Sequence, residues 1–537
     1  MKLPSLPMGD KIRQRAQTAF GGLNHTFGAA DEELYDMRNL WSGDAPLLSV
    51  RPGRVTLGSL TKPNGLFHAD HRITVDGTTI YVDGVSAGTV ADSRKVFAAL
   101  GERILIWPDK KVLIPPVAPA TTWTLDSLES SVTVSATFTD GTYAGETAEG
   151  NTIKAADASF DWATYFNVGD AVTISGAADA ENNITIIVRE VDGDELRFYE
   201  NSFTDNSTAA SITVSRTVPD LDWICTNENR VWGCKGDTIC CSKLGDPYNW
   251  NVFDGISTDA WSWDTGTEGS FTGCISYMGY PCFFKERHIF KVYGDKPTNF
   301  EPMGSPDLGV MSGCGRSLAI ANETLFYLSR VGPMAYAGGV PRPIGEVIGA
   351  TLTEGVGGSD GLRYFLSAKS GTAWLLYVYD ALRQMWHIED ATHAVEFAPG
   401  SAGSVECLTS GGALWTTDEA ATGTAEAAFQ WSAELGDYYT YAATGRTSRY
   451  SPNKKHITKI LIRLDLPTNA TATVSIRYDS TGDWITAASL TAGVKRSEYI
   501  AIIPRRCDHF RLKLAGTGRA KVYSITTETA EGSPNKL

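Results

Sequence analysis

The chain has 537 residues, 42% of them hydrophobic and 20% charged, with a formal net charge of −15. That balance excludes a disordered or collagen-like chain, and the length calls for two to four domains rather than one core. Apolar runs such as Tyr499-Ile-Ala-Ile-Ile503 fall short of the roughly 18–20 residues of a membrane-spanning helix, and residues 1–10 lack the apolar stretch of a signal peptide; no membrane-spanning segment and no export by the general secretory route are expected.

Residues 1–54 read as an amino-terminal arm. Asp10 can cap a short helix through Ile12, Ala16 and Phe20 that stops at Gly21-Gly22, and Asp31-Glu-Glu-Leu34 can start a second turn. Beyond it, Pro46 and Pro52 favour an extended course.

From about residue 66 the pattern changes to β alternation. Arg72-Ile-Thr-Val75 and Thr79-Ile-Tyr-Val82 flank Asp76-Gly77, and Asp83-Gly84 follows; Asp-Gly between β-branched runs predicts tight hairpins. A unit of two apolar runs around a short turn then recurs through the chain. Its copies contain Arg103–Trp107, Arg230–Cys234, Pro281–Lys285, Thr324–Leu328, Ala373–Tyr377 and Leu414–Thr417, and the last five are spaced 51, 43, 49 and 41 residues apart. That spacing accommodates one four-stranded blade, so residues 55–116 and 218–419 are expected to form a β-propeller of five to seven blades.

Between them, residues 117–217 lose the rhythm and carry 16 acidic against 4 basic side chains. Short apolar runs at 132–138, 171–174, 184–188 and 212–215 predict an acidic β domain inserted into a propeller loop. After a small-residue linker at 420–428, residues up to 537 show well-alternated strands at 456–466, 472–478, 499–503, 510–514 and 520–525, which predict a β-sandwich. The stretch 446–521 carries 15 basic against 5 acidic side chains, so residues 420–537 are expected to be a basic module with neighbours of its own. The expected fold class is all-β.

Nine cysteines occur, seven of them between Cys225 and Cys314, without C-x-x-C pairs or zinc-ligand spacing; they are expected to be reduced apolar fillers, and no metal is expected. No nucleophile elbow, P-loop, H-E-x-x-H or EF-hand loop is present, so neither a catalytic residue nor a cofactor is assigned. Asp380, Glu389, Asp390, Asp259 and Asp264 are the carboxylates a glycosidase reading would need, and solvated hairpins are the simpler reading of them. Asp192-Gly-Asp194 reads as a turn rather than a calcium loop.

Two sets of residues are candidates for interaction. Arg446, Arg449, Lys454, Lys455, Lys459, Lys495, Arg496, Arg505 and Arg506 form a basic set that can meet phosphates, a protein partner or only solvent, with an acidic neighbouring subunit favoured over nucleic acid. Trp261 and Trp263 can grip a sugar or a partner, or cover one face of a core.

The strings Tyr35-Asp-Met-Arg-Asn-Leu40, Pro46-Leu-Leu-Ser49, Arg51-Pro-Gly53 and Val231–Ile239 with Cys241–Trp250 resemble tail nozzle (tail hub) proteins of short-tailed bacteriophages, as do Phe284–Phe290, Leu325–Ser329 and Arg505–Arg511. The resemblance covers about two thirds of the chain and skips residues 117–217. It implies a virion tail protein assembled in the host cytoplasm as a ring of six copies below the portal and adaptor, with tail needle, fibre or spike proteins as neighbours. Genomic DNA would pass through the lumen during ejection without sequence-specific binding, and no enzymatic activity is implied. The alternative is a receptor- or glycan-binding tail protein. A propeller hydrolase is a third reading, disfavoured by the lack of repeated Asp-boxes.

Overall fold

The computed structural model describes residues 12–26, 32–140, 151–199, 203–253, 256–438, 454–479 and 482–531. It is all-β; among the described residues the only helices are short 3-10 turns, and none is long and apolar enough to cross a membrane. The chain divides into two compact units, residues 1–68 with 316–537 and residues 69–315.

In the first unit, two four-stranded meanders run through Ala319–Pro343 and Glu354–Ile388. A third sheet takes three strands from Ala394–Thr416 and a fourth from far upstream: Val55–Ser59 pairs antiparallel with Ala413–Thr416 and also with Thr424–Ala425. The first strands of these sheets pack side by side, Ala319–Ala321 on Glu354–Ser359 and the latter on Ala394–Pro399, which also meets Pro63–His68. Such close approach explains the glycines of Glu354-Gly-Val-Gly-Gly-Ser359. A Cβ on Gly358 would stand 2.3 Å from the Cβ of Phe397. Behind these strands Phe365, Leu376, Val378, Phe397 and Trp415 form one buried cluster.

The recurrent unit of the sequence does not mark the same strand in every sheet. Thr324–Ser329 is a second strand, whereas Ala373–Asp380 and Ala413–Thr416 are third strands. The two central strands of a meander are both covered on both faces, so their apolar runs look alike.

The amino-terminal segment departs from expectation. Residues 1–11 and 27–31 lie outside the described residues, but Ile12–Gln17 is a strand rather than a helix, in register with Ile525–Ala530. Leu34–Arg38 pairs with Gln430–Leu435, and Leu48–Val50 with the start of Lys521–Glu531. The segment is therefore no free arm. It supplies strands to a ten-stranded sheet built otherwise from residues 430–531, because a free sheet edge satisfies an extended segment's backbone better than one solvated turn of helix does. In that sheet the two strands read at 456–466 and 472–478 are one, Lys455–Tyr478, which pairs along its first half with Lys521–Glu531 and along its second with Phe510–Thr517. Its burial alternates with a two-residue period whose phase shifts at Thr458-Lys459 and which lapses at 467–469, so most of its length has one face buried and the other outward.

The second unit holds four-stranded meanders at Val96–Ser127, Trp223–Asp264 and Gly273–Ser305, together with the strands Arg72–Asp76, Thr79–Val82 and Val85–Thr89. Asp83 and Gly84 both take positive φ (49° and 82°), as a two-residue hairpin turn demands. Thr124–Ser127 completes the first of these meanders, so the inserted domain begins later than its composition suggests. The strands Ser130–Thr139, Thr152–Ala155, Ala171–Ser175, Thr185–Asp192, Glu195–Phe198 and Asn206–Arg216 form a closed barrel, which the pairing of the last with the first shuts. Phe138, Ile153, Trp162, Ile186, Phe198 and Val214 fill it. The nine cysteines form no disulfide, and burial pushes the thiols of Cys241 and Cys282 up to about 12, which matches their reading as apolar fillers.

If close approach dictates Gly358, then Gly358→Ala lowers the unfolding free energy by about 1–3 kcal/mol through overpacking against Phe397, measured by urea denaturation. An unchanged midpoint would contradict the account.

Candidate functional site

The densest cluster of charge lies in the first unit and is built from the string Asn39…Arg51-Pro-Gly-Arg54. Arg51 grips Glu426 with two hydrogen bonds of 2.8 Å, and its Nε donates to Asn39 Oδ1 at 2.8 Å. Arg54 donates to Glu389 at 2.5 Å and to Asp390 at 2.7 Å, and its amide donates to Glu426 at 3.0 Å. Both guanidinium planes lie on aromatic faces, Arg51 over Phe429 at 3.9 Å and Arg54 over Trp415 at 4.1 Å. Burial opposes the Arg54 charge, but Glu389, Asp390 and Glu426 outweigh it and raise its pKa. Burial likewise pushes the Asp390 and Glu426 carboxyls up, and the arginines and their hydrogen bonds more than reverse it. A cavity of about 360 Å³ opens beside the cluster, lined also by Trp41, Arg363 and Phe365.

These contacts settle what the carboxylates singled out in the sequence do here. Glu389 and Asp390 are held by guanidinium groups. Asp380 accepts from the amide of Arg383 at 2.8 Å and from its side chain at 3.0 Å. In the other unit, Asp264 accepts from Thr238, and Asp259 accepts the amide of Ile256 at 3.2 Å. Asp192-Gly-Asp194 is a turn with Gly193 at φ 54°, its Asp194 carbonyl receiving Trp162 Nε1 at 2.9 Å.

The basic set is dispersed rather than gathered. Arg446 and Arg449 lie outside the described residues, as does the side chain of Lys495. Lys455 is buried and donates to the carbonyl of Asp508, so it faces inward, and burial lowers its pKa. Arg496 is ion-paired to Glu498 at 2.6 Å. Lys454 is half-buried, whereas Lys459, Arg505 and Arg506 are exposed, with Lys459 at 3.6 Å from Glu528 and Arg505 at 5.5 Å over Tyr478. Near them Asp479, Asp508 and His509 cluster, already joined by hydrogen bonds from the Asp508 amide to Asp479 at 2.9 Å and between His509 Nδ1 and Asp508 at 2.5 Å.

Trp261 and Trp263 share one face of the strand Trp261–Asp264 and are half-buried. Trp261 meets Trp232 at 6.0 Å and Phe300 at 5.6 Å, and Trp263 meets Phe290 at 6.2 Å, so both cover a core cluster.

Sequence reasoning missed a groove in the second unit. It has a volume of about 500 Å³ and lies where the turns at 69–71, 83–84 and 101–102 meet the segment 115–123. His71 Nδ1 is 2.6 Å from Asp83 Oδ2, Asp83 Oδ1 accepts the Arg72 amide at 2.9 Å, and the His71 ring meets Trp123 edge-on at 5.2 Å. Burial is the largest single influence and disfavours the Asp83 charge, but His71 and the Arg72 amide together lower its pKa on balance. The turn signal at Asp83-Gly84 was visible in the sequence; the approach of Trp123 to it was not.

No family model and no curated protein matches the chain. Among solved structures, it is similar to an exo-β-1,3-galactanase from Phanerochaete chrysosporium bound to β-1,3-galactotriose, at 10% identity and TM-score 0.22, covering 57% of this chain and 94% of that one. A GH43 glycoside hydrolase with engineered endo-xylanase and exo-arabinofuranosidase activity gives 9% identity and TM-score 0.20, covering 59% and 97%. A Cry1Da tryptic core variant from Bacillus thuringiensis gives 10% identity and TM-score 0.14, covering 48% and 50%. Likeness at this level assigns no activity to the chain.

Removing one member of a buried ion cluster leaves its partners uncompensated, so Arg54→Met should lower stability by about 3–5 kcal/mol in chemical denaturation. Adding Glu389→Gln should recover part of the loss; no loss in the single variant would show the cluster to be energetically idle. His387, buried next to the cluster's strand with Asp380, Arg363 and Arg383 around it, is pushed down by burial to about 4. The unfolded chain therefore binds a proton that the fold refuses, and stability should fall as pH drops from about 6.5 toward 4. Asp390 and Glu426, held below their ordinary range, add a further loss only at lower pH. His387→Phe should flatten the first of these two slopes in unfolding curves taken across that range.

Proposed function

We propose that this chain is a non-enzymatic structural protein of a short-tailed phage tail, one subunit of the nozzle ring that attaches below the portal and adaptor and conducts the genome during ejection. The fold reading that goes with it treats the meander sheets as propeller blades, the barrel as an insertion, and the ten-stranded sheet as a sandwich bent along Lys455–Tyr478. Such a sheet assembly is stiff, and a conduit requires stiffness rather than a reaction centre.

The observation that carries the reading is where the family-like strings fall. Asn39, Arg51 and the Pro-Gly that follows are the residues that lock the amino-terminal segment into the first unit. Val231 to Ile239 runs through the two central strands of its meander, and Cys241–Trp250 continues into the connection that follows. Most of these residues thus serve the body, although Arg51-Pro-Gly53 also borders the cavity of about 360 Å³. Carboxylates that a glycosidase would need are bound to arginines, backbone amides or a threonine hydroxyl, and the tryptophans that motivated a glycan-binding reading cover a core. Net acidity suits a DNA conduit, since like charge discourages phosphates from adhering in transit.

Gold-labelled antibody against this chain, applied to purified virions and viewed by negative stain, should decorate the tail below the portal vertex. Label on the capsid shell or on a side fibre would overturn the reading.

A further inference from the structure

Two surfaces of this chain are opposite in charge and alike in carrying exposed apolar side chains. The first is the groove of the second unit. Asp70, Asp83 and Glu102 stand around it, its walls include Trp123, Pro115 and Pro116, and no lysine or arginine is among its described lining residues. Val85 in its wall is 65% exposed, and Val117, in the segment that borders it, 78%. An acidic, aromatic groove with an apolar rim suits a ligand that presents a cation beside an aliphatic group.

The second surface belongs to the first unit. On the outward face of Lys455–Tyr478, Lys459 and Arg463 are exposed on either side of Leu461, which sits directly opposite Tyr499 of Ile485–Ala501. The chain then leaves the sheet through Ile503-Pro504-Arg505. Tyr499 is 72% exposed and Ile503 90%, and Arg505 is exposed next to them. An isoleucine presented almost wholly to water next to Arg505, at the end of a strand face that carries Tyr499, Lys459 and Arg463 further along, has the composition of an interface core with a basic rim.

We propose that the Ile503–Arg505 turn of one copy docks in the groove of a second copy, with the isoleucine against Trp123 and the prolines and the guanidinium toward Asp83 and Glu102. The occupant is a second copy because one chain carries both halves of a complementary pair, in charge and in apolar area. Because the two patches are different, the contact is head-to-tail: each copy offers a turn to one neighbour and a groove to another, which builds a closed ring when the rotation closes. The inference rests on the ring reading above and adds to it the residues that join the subunits.

The test uses the full chain with substitutions at exposed positions only. One variant carries Ile503→Ala and Arg505→Ala, the other Asp70→Lys and Glu102→Lys; circular dichroism and thermal melts confirm that both fold. Mass photometry at increasing concentration should show each variant assembling at least tenfold more weakly than the unaltered chain, about 1.4 kcal/mol or more per contact. An equimolar mixture should recover a two-copy species and nothing larger, since it contains one intact turn and one intact groove per pair. Assembly of both variants at the unaltered strength, with lysine cross-links from Lys459 landing on the 130–216 barrel of the neighbour, would overturn this docking while leaving a ring in place. Failure of the unaltered chain to assemble at any concentration, alone or with its adaptor, would remove the ring and the docking together.

Discussion

The first unit depends on a buried exchange of charge between residues more than three hundred positions apart. Arg51 and Arg54 reach Glu389, Asp390 and Glu426, and each guanidinium also lies on an aromatic ring. Buried charges cost more to desolvate than their attraction returns unless every partner is in place. Here each carboxylate meets a guanidinium, although the buried Nε of Arg54 makes no hydrogen bond, and the geometry these pairs require brings the segment around residue 54 to the neighbourhood of Trp415. Val55–Ser59 then becomes the strand that completes the Ala394–Thr416 sheet. The ion cluster and the borrowed strand are two views of one constraint, and the weaving of residues 12–50 into the 430–531 sheet follows from it.

Packing imposes the second constraint. Where first strands run side by side there is little room for side chains, so three of the six residues of Glu354–Ser359 are glycine, while the strands behind are aromatic and branched. The same division appears in the second unit, where Trp232, Phe283 and Phe290 fill the space between meanders and Trp261 and Trp263 lean on them. Aromatic residues that look like ligand contacts in a linear pattern are used as filling, because a wedge between diverging sheets is wide and only large side chains close it. The barrel solves its own packing internally, which is why 130–216 tolerates an acidic exterior: its core is complete without neighbours.

Exposed apolar side chains remain at several places, and two of the surfaces that carry them are opposite in charge. The groove at His71, Asp83 and Trp123 is assembled from turns, which are positioned by rigid strands yet free to vary. The projection at Ile503 lies just past a sheet edge, where no strand covers it. On the structural reading proposed above, these two surfaces are where the chain meets its neighbours.

The alternation of the strands was legible in the sequence because a half-buried strand must alternate and an Asp-Gly turn needs positive φ; Arg72–Val82, Ala171–Ser175 and Phe510–Thr517 were readable on those grounds alone. The acidic segment was legible as a separate piece too, since its composition changes within about a dozen residues of where its core begins. What tertiary structure decided was pairing. Nothing local distinguishes Ile12–Gln17 as a strand, because its partner lies some five hundred residues away and supplies the hydrogen bonds that a helix would have made within itself. Nothing local commits Glu389 to Arg54 rather than to a substrate, and a strict two-residue period would put Lys455 and Lys459 on the same face; the register shift between Ile457 and Lys459 turns the first inward and leaves the second outward. Sequence sets the period of each element, and the fold sets its partner and its phase, because hydrogen bonds and buried charges are satisfied across space rather than along the chain.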